Sequence, residues 1–194
     1  MTKSLSLSAL AVLCLALAAC ASRPPRFYTL NSLAGAQSEA PVSVSVSVGP
    51  VSVPGAVNSP LIMINVGPNE IRPDESSHWI AALPDIIGRA LVGDLTAALG
   101  TSHVMLWSNT AEGSPDYRVS VEVEKFESMP GEAAVFEATW TVRRLQDKAV
   151  RHGRTADREV CTDSSVATLA AAHSRAVGRL SQDIAGAIRS MAGS

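Results

Sequence analysis

The chain predicts an α+β fold in which two amphipathic helices pack on a two-layer, mainly antiparallel sheet. Three observations point there. Valines at 42, 44, 46 and 48 alternate with serines at 43, 45 and 47, the period-two signature of a half-buried strand. The same alternation returns in Tyr117, Val119, Val121 and Val123 and in Phe136, Ala138, Trp140 and Val142, against Arg118, Glu122, Glu137 and Thr139. Two other stretches repeat apolar residues every three or four positions, the period of one helix face.

Taken in order, Phe27-Tyr28-Thr29-Leu30 reads as a brief strand or a docking segment, and residues 31–40 as a small, polar loop. The Val/Ser strand from Pro41 to Pro54 changes phase at Gly49-Pro50, which predicts a bulge or an edge. Leu61 to Val66 is a second apolar strand, ended by Gly67-Pro68-Asn69. From Glu75 to Leu99 a helix is expected, with Trp79, Leu83, Ile86, Ile87, Ala90, Leu91, Leu95 and Ala98 on one face and Ser76 or Ser77 as cap. Pro84 fits that helix poorly. It reads as the true start of the regular helix, with Trp79 on a preceding turn. Gly100 is a natural stop.

A short strand from His103 to Trp107 follows, then a loop through Pro115. The two alternating strands come next, with a turn at Gln146-Asp147-Lys148 and a polar strand from Val150 to Val160 near an edge. Thr162-Asp163-Ser164-Ser165 supplies cap residues for a last helix, whose stripe is Val166, Leu169, His173, Val177, Leu180, Ile184, Ile188 and Met191.

The N-terminus carries a separate message. One basic residue, Lys3, precedes an apolar run from Leu5 to Ala18 that is short for a bilayer span of about 20 residues. Small residues then close a secretory leader. Leu17-Ala18-Ala19-Cys20 resembles the lipobox. That resemblance implies lipid transfer to the Cys20 sulfur, cleavage between Ala19 and Cys20, and acylation of the new amine. Two or more acyl chains give stable anchoring, at roughly 0.8 kcal/mol per buried CH₂. Ala21 after the anchor, where aspartate would retain a lipoprotein in the inner membrane, favours the outer membrane. The expected organisation is therefore a signal peptide over 1–19, a lipidated tether and docking segment over 20–40, and one α+β domain over 41–194.

Composition narrows function. With 16 basic and 18 acidic residues the chain has no electrostatic footprint for nucleic acid. After Cys14 leaves with the leader and Cys20 takes lipid, Cys161 stands alone and reads as a small buried residue or, as the lesser alternative, an interchain disulfide. The histidines at 78, 103, 152 and 173 have no metal-binding spacing, no G-x-S-x-G elbow occurs, and no glycine-rich loop opens a helix. Glu122 and Glu124 share a wet strand face. Hence no catalytic residue, metal or cofactor is assigned, and a binding role is expected. Phe27, Tyr28, Leu30 and Trp79 are the candidate docking residues, because each is a large apolar group at a terminus or an element edge.

Several segments, in order, resemble the ABC-type transport auxiliary lipoproteins, the PqiC-like family. They are the lipobox with Arg26-Phe27-Tyr28-Thr29-Leu30 soon after it, and Val48-Gly49-Pro50-Val51-Ser52-Val53-Pro54. Pro60 with its apolar strand, leading through Glu70 to Trp79 and Leu83, follows, and then Tyr117 to Phe126 and Ala138-Thr139-Trp140. The chain departs from the family pattern at Val57-Asn58-Ser59 and at His78. The resemblance implies a non-enzymatic lipoprotein of an intermembrane lipid-transport system. It would be held on the periplasmic face of the outer membrane, dock an MCE-domain protein served by an inner-membrane permease and ATPase, and assemble as a homo-oligomer. A lipid-binding carrier, an activator or assembly lipoprotein of another envelope machine, and a hydrolase with an unfamiliar site are the competing readings.

Overall fold

The computed structural model describes residues 24–33, 40–108 and 114–193. The leader, Ala19 and Cys20 lie outside these residues. The elements are β1 (Arg26–Tyr28), β2 (Val46–Ser52), β3 (Leu61–Gly67), β4 (Glu70–Trp79), α1 (Leu83–Leu99), β5 (Val104–Leu106), β6 (Tyr117–Met129), β7 (Ala133–Arg144), β8 (Val150–Val160) and α2 (Val166–Ala192). They form an α+β domain with a five-stranded sheet ordered β5-β2-β6-β7-β8 and a three-stranded sheet ordered β1-β4-β3.

Both sheets are mixed. The β6–β7, β7–β8 and β3–β4 pairs are antiparallel and carry the longer registers. β2 runs parallel to both β5 and β6, and β1 parallel to β4. Parallel neighbours need a crossover, and α1 lies in the one between β2 and β5. Gly49-Pro50 does produce a register shift, between Val48 and Val51, inside a central strand rather than at an edge. Proline is tolerated there because β5 ends its pairing at Val48↔Leu106, so the missing N–H is not needed by that neighbour.

The helix expected from Glu75 begins only at Leu83. Residues 70–79 are strand β4, and Trp79 closes it. Pro84 sits in the first turn, where its absent N–H costs nothing. Neither Ser76 nor Ser77 caps the helix; Ala82 stands at the N-cap without a side-chain bond. Gly100 ends α1 in the left-handed region, φ 66°, with its N–H on the Thr96 carbonyl at 3.0 Å. Ser165 caps α2, its hydroxyl accepting from the Thr168 N–H at 3.2 Å.

One core lies between the five-stranded sheet and the two helices. On α1, Leu83, Ile87, Leu91, Leu95 and Leu99 form an i, i+4 row with no exposure; Leu180, Ile184 and Ile188 of α2 and Val119, Phe136, Ala138 and Val142 of the sheet face it. Each large side chain buried in this way contributes about 1.5–3 kcal/mol. The opposite sheet face is polar. There Lys125 and Arg154 share Glu137, Lys125 at 2.8 Å, and Arg154 also meets Glu124 at 3.3 Å. β8 is an edge strand, as its polarity predicts, and it is tied to α2 by ion pairs: Arg175 to Glu159 at 2.5 Å, and Arg179 to Asp157 at 2.8 Å and to Glu159 at 2.5 Å. Cys161 is buried in a small satellite cluster with Ala134, Leu169 and Ala172, and burial pushes its thiol pKa up.

Candidate functional site

The segment after Pro25 is built into the domain. β1 pairs with the end of β4 in the register Arg26↔Ser77, Phe27↔His78 and Tyr28↔Trp79, and the Ile80 N–H donates to the Tyr28 carbonyl at 2.9 Å. Beyond it the backbone crosses the helical layer. The Asn31 N–H donates to Ser174 Oγ at 3.1 Å. Asp94, buried on α1, accepts from Ser32 Oγ at 2.7 Å and from the Leu33 N–H at 2.8 Å through Oδ1, and from Ser181 Oγ of α2 at 3.1 Å through Oδ2. One carboxylate thus joins three pieces of chain. Gly93 makes the crossing feasible, since a Cβ there would lie 2.8 Å from Ser32 Cβ.

This arrangement sorts the four candidate docking residues. Leu30 and Trp79 are both 5% exposed and belong to the core; Trp79 meets Phe126 edge to face, centroids 6.0 Å apart. Tyr28 is half-buried and packs against the same core. Phe27 is 63% exposed and lies against the His78 ring at 5.5 Å. Beside it Ile80 is 66% exposed. The sequence singled out neither Ile80 nor Asp94. Asp94 sits within an apolar helix, where a lone carboxylate reads as an exposed position.

A second run of exposed apolar residues, Met105, Leu106 and Trp107, lies at the edge strand β5, which among the described residues pairs only with β2. Trp107 packs over Gly49, where an added Cβ would stand 3.1 Å from the Trp107 Cβ. Gly49 also has φ +134°, a backbone conformation that glycine adopts freely.

Most buried polar side chains among the described residues are paired within the chain; the exceptions are Nδ1 of His78 and Nδ1 of His173. His173 is buried with no exposure. Its Nε2 lies 2.9 Å from Ser128 Oγ, and burial lowers its pKa to about 3, so the ring is neutral. Nδ1 has no partner among the described residues, which fits a tautomer with Nε2–H donating to Ser128 and only a lone pair left bare. His152 Nδ1 lies 3.0 Å from Thr141 Oγ1. A cleft of about 400 Å³ opens among Ser43, Asp116, Tyr117, Arg144 and Gln146. Its charges are engaged within the chain. Arg144 pairs with Asp147 at 2.7 Å, and Asp116 accepts from the Ser45 N–H at 2.7 Å and its hydroxyl at 2.8 Å, bonds that hold its pKa below the usual carboxylate value. Among the described residues no group of three or more His, Cys, Asp or Glu is placed to hold a metal ion, and no helix is long and apolar enough to cross a membrane.

Two solved structures share this fold. A Xanthomonas campestris protein of the family DUF330 matches with TM-score 0.70 and 19% identity over 83% of this chain and 93% of its own. An uncharacterized protein matches with TM-score 0.70 and 15% identity over 86% of this chain and 99% of its own. Among curated proteins none matches. The family model for the ABC-type transport auxiliary lipoprotein component matches residues 28–185, from the end of β1 to the last turns of α2. With that match spanning both sheets and both helices, the chain belongs to the ABC-type transport auxiliary lipoprotein family.

Proposed function

We propose that this auxiliary lipoprotein is cleaved between Ala19 and Cys20, anchored by lipid on Cys20 to the periplasmic face of the outer membrane, and works there as a non-enzymatic docking component. Its partner is an MCE-domain protein of an intermembrane lipid-transport system, with the inner-membrane permease and ATPase behind it. Several copies around a symmetric tube would match its symmetry.

The observation that carries docking over lipid carriage is the filled interior. A carrier needs an apolar cavity of several hundred Å³. Here the space between sheet and helices holds Leu91, Leu95, Phe136, Leu180, Ile184 and Ile188, all without exposure. Large apolar side chains left outside lie instead at edges, and Met105 and Leu106 on β5, with Trp107 just after it, present three in a row beside a strand that is unpaired on one side among the described residues. An edge strand with exposed apolar residues is a template for partner binding.

The test is to purify the lipidated protein in mild detergent and identify what accompanies it. An MCE-domain protein and its permease should be recovered with the native chain and lost with Met105→Glu at unchanged thermal stability. Recovery of bound phospholipid without such a partner would overturn docking in favour of a carrier. Recovery of a cell-wall synthase would assign the chain to another envelope machine.

A further inference from the structure

Phe27 and Ile80 are two strongly exposed large apolar residues, at 63% and 66% exposure. They sit together at one end of the three-stranded sheet. Phe27 is in register with His78 across β1 and β4, the two rings lie 5.5 Å apart, and Ile80 follows two residues on, where its N–H closes the last bond to Tyr28. Leu61 of β3, half-buried, is the register partner of His78 on the other side. Apolar side chains of β1 and β3, Phe27 and Leu61, therefore flank the His78 ring at this end, and Ile80 follows two residues beyond it.

Two further facts say what covers it. The first is chain length. Seven residue steps separate Cys20 from Phe27. Even fully extended, seven residues span at most about 25 Å. Pro24 and Pro25 narrow the conformations available to that stretch. The second is charge. From Cys20 to Ser38 the chain carries Arg23 and Arg26 and no carboxylate; the first acidic residue is Glu39. Basic residues beside a lipid anchor are drawn to anionic headgroups, and exposed aromatic and aliphatic groups partition into the headgroup–acyl boundary.

We propose that the Phe27–Ile80 end of the small sheet seats on the phospholipid surface that holds the Cys20 lipid. The domain is then not a ball on a loose string. It stands on the leaflet in a fixed attitude, with the sheet end down. This rests on Cys20 being the anchor, as proposed above.

The test uses the full lipidated chain in vesicles of phosphatidylethanolamine and phosphatidylglycerol. A nitroxide is placed at Ile80→Cys in a Cys161→Ala background, with a second label at Glu122→Cys on the polar face of β6 as reference. Vesicle flotation reports anchoring. Relaxation by oxygen against relaxation by a water-soluble nickel chelate reports depth. The expected result is flotation, with the Ile80 label shifted several-fold toward oxygen and away from the chelate while the Glu122 label stays chelate-accessible. Flotation with both labels equally chelate-accessible would overturn the seating and leave the anchor reading intact. An Ile80 label shielded from both reagents would also overturn it, because a second copy would then cover the patch. Failure to float would overturn the anchor, and the seating with it.

Discussion

The imidazole of His173 lies flat on the ring of Phe126, centroids 3.7 Å apart and planes 10° from parallel, in the interior between α2 and β6. Burial holds this histidine neutral, with a pKa of about 3 against 6.5 when free. The unfolded chain therefore binds a proton that the folded chain refuses, and stability falls as pH drops below about 6.5. The slope is at most about 1.4 kcal/mol per pH unit. The carboxylates whose pKa is lowered by partners, Asp116, Glu137 and Asp163 among them, start from 3.8 or 4.5, so their contribution is lost at lower pH. Between pH 7 and 5 the thermal midpoint should fall in the native protein and stay nearly level in His173→Leu. Parallel curves would show that His173 does not set this dependence.

Asp94 is expected to be the costliest polar residue to truncate. Asp94→Ala removes the acceptor shared by Ser32, Leu33 and Ser181, while the Ser181 hydroxyl keeps the Val177 carbonyl at 2.9 Å; a hydrogen bond to a charged group contributes about 1.5–3 kcal/mol. Besides a lower midpoint, limited proteolysis near residues 29–33 should accelerate before the rest of the domain is cut. Uniform cleavage would mean that the carboxylate supports the whole fold rather than this segment.

Gly153→Ala should destabilise by about 1–3 kcal/mol, as overpacking does. Trp140 on β7 pairs with Gly153 on β8 and lays its ring across the glycine, so a Cβ there falls within the ring. The tryptophan must swing out and give up its 3.3 Å bond from Nε1 to Thr155 Oγ1. Red-shifted tryptophan emission and a lower denaturation midpoint are the readouts. An unchanged midpoint would show that the ring is free to move.

Cys20→Ser should abolish incorporation of labelled palmitate and leave uncleaved precursor in the inner-membrane fraction. Label retained by the variant, together with outer-membrane fractionation, would refute the anchor.

Much of the fold is legible in the sequence because inward-facing residues are apolar where periodicity matters. Val119, Val121 and Val123 on β6, and Leu169, Leu180 and Ile184 on α2, are all buried as their spacing demands. β4 was hidden for a definite reason. Its inward-facing pair is Ser77, 2% exposed, and Trp79, so one of the two core positions is a hydroxyl, bonded to Asp74 at 3.2 Å, and the alternation vanishes from a hydrophobicity reading. Pro73 within that strand also argues against it, yet β1 reaches only Ser77 to Trp79, so β4 has a free edge at the proline. The parallel pairing of β2 with β5 and β6 depends on partners far along the chain, which local pattern cannot specify. Of the candidate docking residues, aromatic and aliphatic character near the terminus was readable. That Leu30 and Trp79 turn inward while Phe27 turns outward is decided by the parallel pairing of β1 with β4.

That pairing also sets how the domain answers a pull on its N-terminus. β1 lies parallel to β4, so tension from the terminus draws it lengthwise and loads the short ladder from Arg26 to Tyr28 in shear rather than peeling it bond by bond. Behind the ladder, Asn31, Ser32 and Leu33 carry the strain to both helices through Ser174 and Asp94. Were the chain held at Cys20, as proposed above, load on the anchor would pass through this ladder before it reached the helices. Along that path the β1–β4 ladder comes first, the Ser174 and Asp94 bonds next, and the five-stranded core last.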